Sequence, residues 1–410
     1  MPSPTAFDQS NFNNYVMDTY GRFPIALVKG EGCRVWDTEG CEYLDFVAGI
    51  STCTLGHGHR ALVEAVTTQI QNLHHVSNLY YIPEQGQLAQ WLVEHSCADK
   101  VFFCNSGAEA NEAAIKLARK YAHTKRGIDK PVILTAQSSF HGRTLATITA
   151  TGLPKYQQNF EPLVPGFKYV PFNDIEAIQN IINDSAQGDY CVAGIMIETL
   201  QGEGGIHPGD LEYFLRLRKI CDQRGILLIS DEVQVGMGRT GKLWGYENLG
   251  IEPDIITSAK GLAGGIPIGA MMCKDFCAVF EQGEHGSTFG GNPFACAVGL
   301  AVAKTLEQEN ILLNVQTRGE QLRTKLRAIT QKYPQVFTQV RGWGLINALQ
   351  ISEDVELTSM DLVKAAMAEG LLLAPAGKKV VRFVPPLIVS AEEVEQAGKL
   401  LENTIEKCCQ

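Results

Sequence analysis

ILLISDEVQ (226–234), GMGRTGKLWG (236–245) and PDIITSAKGLAGG (253–265) together decide how this 410-residue chain is read. ILLIS is a short apolar, partly β-branched run and predicts a buried strand. It ends on two carboxylates, Asp231 and Glu232. A second apolar run, Ile255–Thr257, ends close to Lys260, which glycines follow. In an open α/β sheet, ligands collect at the carboxyl ends of the strands. An acid and a lysine would therefore reach one crevice from two strands. That arrangement suits a cofactor held through an imine, with an anion set against its ring nitrogen. It also suits an ordinary strand-end acid and a solvated lysine, and these residues alone leave both readings open.

The bulk of the chain sets bounds on the function. A length of 410 residues predicts two or three domains. The hydrophobic fraction of 45% and charged fraction of 20% fit a soluble globular protein. A net charge of -10 argues against nucleic acid or an anionic membrane as partner. No apolar run approaches the roughly 20 residues that span a bilayer; the run from Phe294 to Ala303 predicts a buried helix instead. The N-terminus, MPSPTAFDQSNFNN, has neither a secretory pattern nor the arginines of a transit peptide. The twelve cysteines are scattered, form no CxxC pair, and end in the vicinal Cys408–Cys409. A reduced, cytoplasmic protein with buried thiols is expected.

Along the chain, residues 1–75 predict an N-terminal segment of short strands and turns, with RVWD and YLDF either side of Gly40, then a helix at LVEAVTTQIQNL. The histidines of GHGH and His74–His75 lack carboxylate or cysteine partners at ligand spacing, so no metal site is expected. Residues 76–305 alternate strand and helix. VFFC, PVILTA, CVAGIMIE, ILLIS and DIIT are the strand-like runs, which implies right-handed crossovers and a mostly parallel sheet. Residues 306–410 read as a smaller α+β domain, with strands at RGWGLINALQI and VVRFVPPLIV between two helices.

Two pattern matches are set aside. Gly236–Gly241 fits GxGxxG, but DEVQ separates it from the strand and no amphipathic helix follows. The same stretch nearly fits a P-loop, with Leu243 where a hydroxyl is needed. A glycine-rich active-site loop is the expectation there. Ser106–Asn111 is better placed, after VFFC and opening a strong helix, where free N–H groups can hold a phosphate; simple capping explains it equally well. Phe140 and Arg143 follow PVILTA, offering a stacking ring and a carboxylate fork. Glu198 and Glu203 bracket another loop after a strand. His285–Pro293 carries Ser287 and Thr288, and Arg382 lies among apolar residues, where it needs a partner. Together these form the inventory of a pyridoxal-phosphate enzyme acting on amino acids.

The ordered set SGAEANEAAIKLAR, SFHGRT, ETLQGEGG, DEVQVGMGRTGKLW, TSAKGLAGGIPIGA and HGSTFGGNP resembles the class III aminotransferases of pyridoxal-phosphate fold type I over nearly the whole chain. The resemblance implies an α/β large domain with a mostly parallel sheet, and a smaller α+β domain built from both termini. It implies pyridoxal 5′-phosphate bound to Lys260, which then carries the substrate proton. Asp231 would hold the ring nitrogen, with Glu232 beside it as a further cofactor-binding residue; Val233 and Phe140 would sandwich the ring, and Gln234 would reach its phenolic oxygen. Ser106, Gly107 and Ala108 would hold the phosphate, completed by Thr288 from the other subunit of a homodimer. Arg143 and Ser287 would bind the α-carboxylate of N2-acetyl-L-ornithine, and Arg382 that of 2-oxoglutarate. Glu203 would pair with Arg382 while the amine donor is bound, then swing away, giving a ping-pong cycle that serves L-arginine biosynthesis. Ile50 stands where relatives acting on free ornithine have tyrosine, although 4-aminobutyrate-using relatives share it. Arg60 replaces a usual proline. Succinylornithine, succinyl-diaminopimelate, 4-aminobutyrate and ornithine are the alternative donors. An aminomutase or a non-enzymatic binding protein is disfavoured by the retention of Glu203, Arg382, Lys260 and Asp231.

Overall fold

Four of the apolar runs in the middle of the chain become fully or almost fully buried strands of one sheet. The computed structural model describes residues 7–185 and 189–408; Cys409 and the first six residues of the polar N-terminal arm lie outside these ranges. The large sheet has seven strands: β1 (Lys100–Cys104), β2 (Pro131–Ala136), β3 (Phe167–Val170), β4 (Cys191–Glu198), β5 (Leu227–Asp231), β6 (Ile255–Ser258) and β7 (Gly269–Cys273), in the order β1-β7-β6-β5-β4-β2-β3. β2 through β6 run parallel, and β7 is antiparallel to both of its neighbours, β6 and β1. The sheet is thus mostly parallel, as expected. All residues of β5, β6 and β7 are buried, which accounts for their unbroken apolar character.

Helices between the strands cover the sheet. The longest of these, Gly107–Arg126, buries Ala110, Ala113, Ala114, Leu117 and Ala118 and packs across β6 and β7. Small side chains on that face let the helix lie close to the sheet. The helix Leu211–Arg224 leads into β5 and ends on Gly225, whose φ of 62° is the left-handed conformation that closes a helix.

Two smaller sheets flank this core. Leu27–Glu31, Arg34–Asp37 and Glu42–Asp45 form an antiparallel meander that Leu371–Leu372 extends as a parallel fourth strand. The two ends of the chain therefore build one structure. The other sheet joins Phe337–Trp343, Ile346–Ile351, Val380–Phe383 and Ala374–Pro375, all antiparallel. Arg382 lies in its third strand with Ala348 and Ala374 as cross-strand neighbours, so small residues flank the guanidinium on both sides. The long helices Ile311–Lys332 and Ala391–Cys408 back this region.

The GxGxxG stretch is not an active-site loop. Arg239 is buried and donates to the carbonyls of Leu345 and Pro385, and Gln316 donates to the Gly241 carbonyl. These glycines brace the large sheet against the C-terminal elements. Gly238 and Gly241 have φ of 91° and 86°, which only glycine adopts without strain. Among the described residues no helix is long and apolar enough to cross a membrane.

Candidate functional site

The parallel strands all end at the same edge of the sheet, and their following loops line one cavity of about 400 Å³. That volume lies within the range of small-molecule sites. β1 delivers Ser106 and Gly107, β2 delivers Phe140 and Arg143, β4 ends on Glu198, β5 on Asp231, and β6 leads to Lys260. Because β7 is antiparallel, its beginning rather than its end meets this edge, and Ile266–Ile268 close the cavity.

Asp231 is in register with Glu198 on β4 and Thr257 on β6. Its carboxylate takes three N–H donors: Asn111 Nδ2 at 2.8 Å, His141 Nδ1 at 2.7 Å and the Val233 amide at 3.0 Å. The His141 ring is fully buried. Burial alone would lower its pKa, but the hydrogen bond and charge of Asp231 outweigh this and raise it. The His141 ring and the Asp231 carboxylate thus hold each other in place. Asn111 sits on the same helix face as Ala114, Ile115 and Ala118, all buried, and its Nδ2 also reaches the His141 carbonyl at 2.7 Å.

Lys260 opens a short 3-10 turn with φ of 42°, a conformation that costs a side-chain-bearing residue about 1–3 kcal/mol and is typical of functional positions. Burial drives its pKa down to about 8; the Arg382 charge adds to this, while Glu203, Asp231 and Glu198 oppose it. A lysine so tuned offers a neutral amine near physiological pH.

Ser106 caps the helix Gly107–Arg126. Its hydroxyl accepts from the Glu109 amide at 3.2 Å and Glu109 reaches back to the Asn105 amide at 2.8 Å. The hydroxyl is therefore engaged in capping, and the first-turn N–H groups of Gly107 and Ala108 face the cavity without helical acceptors. A Cβ on Gly107 would lie 2.6 Å from Val233 Cγ1; glycine is required for Val233 to hold its place across the cavity from Phe140. The Phe140 ring meets Tyr156 edge-on at 5.9 Å, and Arg143 lies over Tyr156 at 3.9 Å. Arg143 is exposed, and its partners are rings rather than carboxylates.

Above this floor, Arg382 Nη1 donates to Glu203 Oε1 at 2.6 Å and to Gln234 Oε1 at 3.1 Å. Burial alone would raise the Glu203 pKa, but the Arg382 charge and hydrogen bond hold it below its usual value. Arg382 is 2% exposed and its Nε has no partner among the described residues.

Three expected residues lie elsewhere. Glu232 points away from the cavity: its carboxylate accepts from the Ser230 hydroxyl and the amides of Gly245 and Tyr246, and burial pushes its pKa up to about 7. It fixes the turn after β5 and touches no cavity. Ser287 does not line the cavity; its hydroxyl accepts from Asn105 Nδ2 at 3.1 Å, at the cavity edge. Thr288 is exposed on the protein surface. Ile50 is 44% exposed with φ of 61°, in a left-handed run, Ala48–Ser51, that precedes the cavity residue Thr52. Arg60 is the first residue of a helix capped by His59, a position where proline and arginine are both accommodated. Among the described residues no His, Cys, Asp and Glu cluster is arranged to hold a metal ion.

Pyridoxal 5′-phosphate fits these residues. Asp231 supplies a carboxylate fixed by three N–H donors, Lys260 an amine, the Gly107–Ala108 amides an anion cradle, and Phe140 and Val233 two apolar side chains.

Residues 15–405 match the family described as aminotransferase class-III. The chain is 71% identical to the acetylornithine aminotransferase of Nostoc sp. over 97% of its own length and 93% of that protein's. Among solved structures it is similar to an N-acetylornithine aminotransferase from Stenotrophomonas maltophilia, with a TM-score of 0.83, 38% identity, and 98% and 99% of the two chains covered. It is also similar to an ornithine aminotransferase from Toxoplasma gondii described with partial occupancy of PLP at the active site, with a TM-score of 0.91, 33% identity, and 96% and 93% covered.

Proposed function

The chain belongs to the class III aminotransferases, and from that premise we propose that it moves the δ-amino group of N2-acetyl-L-ornithine to 2-oxoglutarate. The observation that carries this reading is the pairing of Glu203, which lines the cavity with Lys260 and Asp231, to the buried Arg382. A monocarboxylate donor and a dicarboxylate acceptor must use one site in turn, so one carboxylate-binding group has to be masked for the first and exposed for the second. Glu203 against Arg382 is such a mask.

Bound pyridoxal 5′-phosphate supplies an electron sink for the bond broken at the substrate carbon. The chain's residues do the rest. Asp231, held in place by its three N–H donors, would stabilise a proton at the ring nitrogen. The Lys260 amine would take the proton from the substrate carbon and deliver it to the cofactor's C4′, which a pKa near 8 favours. The Gly107 and Ala108 amides and the helix dipole would hold the phosphate, while Phe140 and Val233 would pack on the ring. Arg143, which has no carboxylate partner among the described residues, is available for the donor's α-carboxylate; Ser287 lies outside the cavity, on Asn105.

The enzyme works as a cytoplasmic homodimer in L-arginine synthesis. Leu79, Tyr81 and Phe289 are 82%, 102% and 62% exposed around Thr288, and Asn78 ties the two segments together through the carbonyls of Ser287 and Gly290. A neighbouring subunit on this apolar surface would receive Thr288 at its phosphate site. The free thiols between Cys33 and Cys296 fit a reducing compartment.

A donor panel tests the assignment. N-acetylornithine, succinylornithine, ornithine and 4-aminobutyrate are compared by kcat/KM with 2-oxoglutarate, reading glutamate formed. N-acetylornithine is expected to lead; a lead for ornithine or 4-aminobutyrate overturns the donor assignment.

A further inference from the structure

Glu198 is a cavity-lining carboxylate to which the reading above gives no task. It is the last residue of β4, 6% exposed, beside Asp231 in register. No lysine or arginine of the described residues is paired with it. Instead its two oxygens divide between two loops: Oε2 accepts the Phe140 amide at 3.1 Å and Oε1 the Gly202 amide at 3.1 Å. Burial pushes its pKa up to about 7, so the two amides stabilise a charge that the surroundings disfavour. Burial is only partly relieved by the nearby His141 ring, and both carboxylate oxygens end on backbone amides, which makes this bridge a built feature.

The Gly202 end of the bridge is next to Glu203. Three residues further on, the Gly205 carbonyl accepts from Arg341 Nε at 2.9 Å and Nη2 at 2.7 Å. Arg341 is itself buried in the strand Phe337–Trp343. The Gly204 backbone passes close to the Ser138 carbonyl, since a Cβ there would lie 2.5 Å from it. The segment is therefore tied at Gly202 and at Gly205, and only Glu203 and Gly204 lie between the ties.

We propose that Glu198 is a positioning residue that clamps the base of the Glu203 segment to the Phe140 loop, so that Glu203 opens and closes on Arg382 by side-chain rotation over a fixed backbone. This rests on the reading of Glu203 and Arg382 as a mask. Without the clamp, the backbone under Glu203 gains freedom, the Glu203–Arg382 contact loosens, and Arg382 is exposed to dicarboxylates at the wrong stage of the cycle.

Glu198→Gln is the diagnostic change. It keeps size and shape, but its amide nitrogen must face one of the two backbone N–H donors, so one bond is lost. Glu198→Asp keeps the charge but is one methylene too short to span both amides. The readout is calorimetric binding of glutarate, a dicarboxylate with no carbonyl to react, to the holoenzyme. Either Glu198 variant is expected to bind glutarate about fivefold more tightly than the parent, the scale of one hydrogen bond. Glu203→Gln should tighten binding at least as much, and the Glu198→Gln/Glu203→Gln pair no further than Glu203→Gln alone, because both act through one contact. An unchanged affinity in the Glu198 variants, or effects that multiply in the pair, overturns the proposal. No tightening in Glu203→Gln overturns the mask itself, which separates the two failures. Should Glu198→Gln not fold, the Glu198→Asp comparison decides alone.

Discussion

Asp231 and Arg382 are both charged and nearly fully buried, yet they are held in opposite ways. Asp231 has three donors, drawn from a helix, a loop and its own turn, all between 2.7 and 3.0 Å. Arg382 places one nitrogen, Nη1, on both Glu203 and Gln234 and leaves Nε without a partner. A buried charge whose partners are all fixed cannot move without losing several charge-assisted bonds at once. One that shares a single acceptor carboxylate, with hydrogen-bonding capacity to spare, can exchange that carboxylate for another. The floor of the cavity is thus built for permanence and the lip for exchange, and a two-substrate cycle needs both.

The largest expected effects lie at the floor. Lys260→Ala should abolish the visible absorption of the bound cofactor and lower turnover at least about 10⁴-fold, the upper range for a proton-transfer group; a retained band would remove Lys260 from its role. With a pKa of about 8, deprotonation makes the amine nucleophilic as pH rises. Capture of pyridoxal 5′-phosphate by apoprotein should then quicken about fivefold between pH 7 and 8 and level off above 9, whereas an ordinary lysine would still be accelerating there. Asp231→Asn preserves shape and removes the charge that raises the His141 pKa. A kcat lower by about 10²–10³-fold with the cofactor still bound is expected, measured by turnover and absorbance together. The smallest effect is expected far from both regions: Arg60→Pro, at the first position of its helix, should leave both kinetics and the melting temperature unmoved.

How much of this was legible beforehand follows from the same contrast. β1, β2, β4, β5 and β6 were readable because a strand buried on both faces is a continuous apolar run. β3, FKYV, was missed because a lysine interrupts a short edge strand. β7, GAMMC, was missed because alanine and methionine favour helix. The cavity residues from Lys260 to Arg143 were placed by their positions after those strands and by family resemblance. Glu232 was assigned to the cavity although its neighbour Asp231 already pointed there. Successive side chains on an extended segment face opposite sides, and that alternation was the available signal. The donors to Asp231 come from 120 and 90 residues away, so no local pattern announces them; an asparagine on the alanine face of a helix was the nearest hint. The brace made by Arg239 was likewise invisible, since its acceptors lie 106 and 146 residues off.

The measurement that tests the exchange at the lip most directly is the pair of Michaelis constants of Arg382→Ala. The floor is untouched by this change, so the KM for the amine donor should stay within about threefold, as for a loss confined to one half of the cycle. The KM for 2-oxoglutarate should rise about 100-fold, the scale of losing one partner of a buried charge pair. Equal increases in both constants would contradict the division between a fixed floor and an exchanging lip.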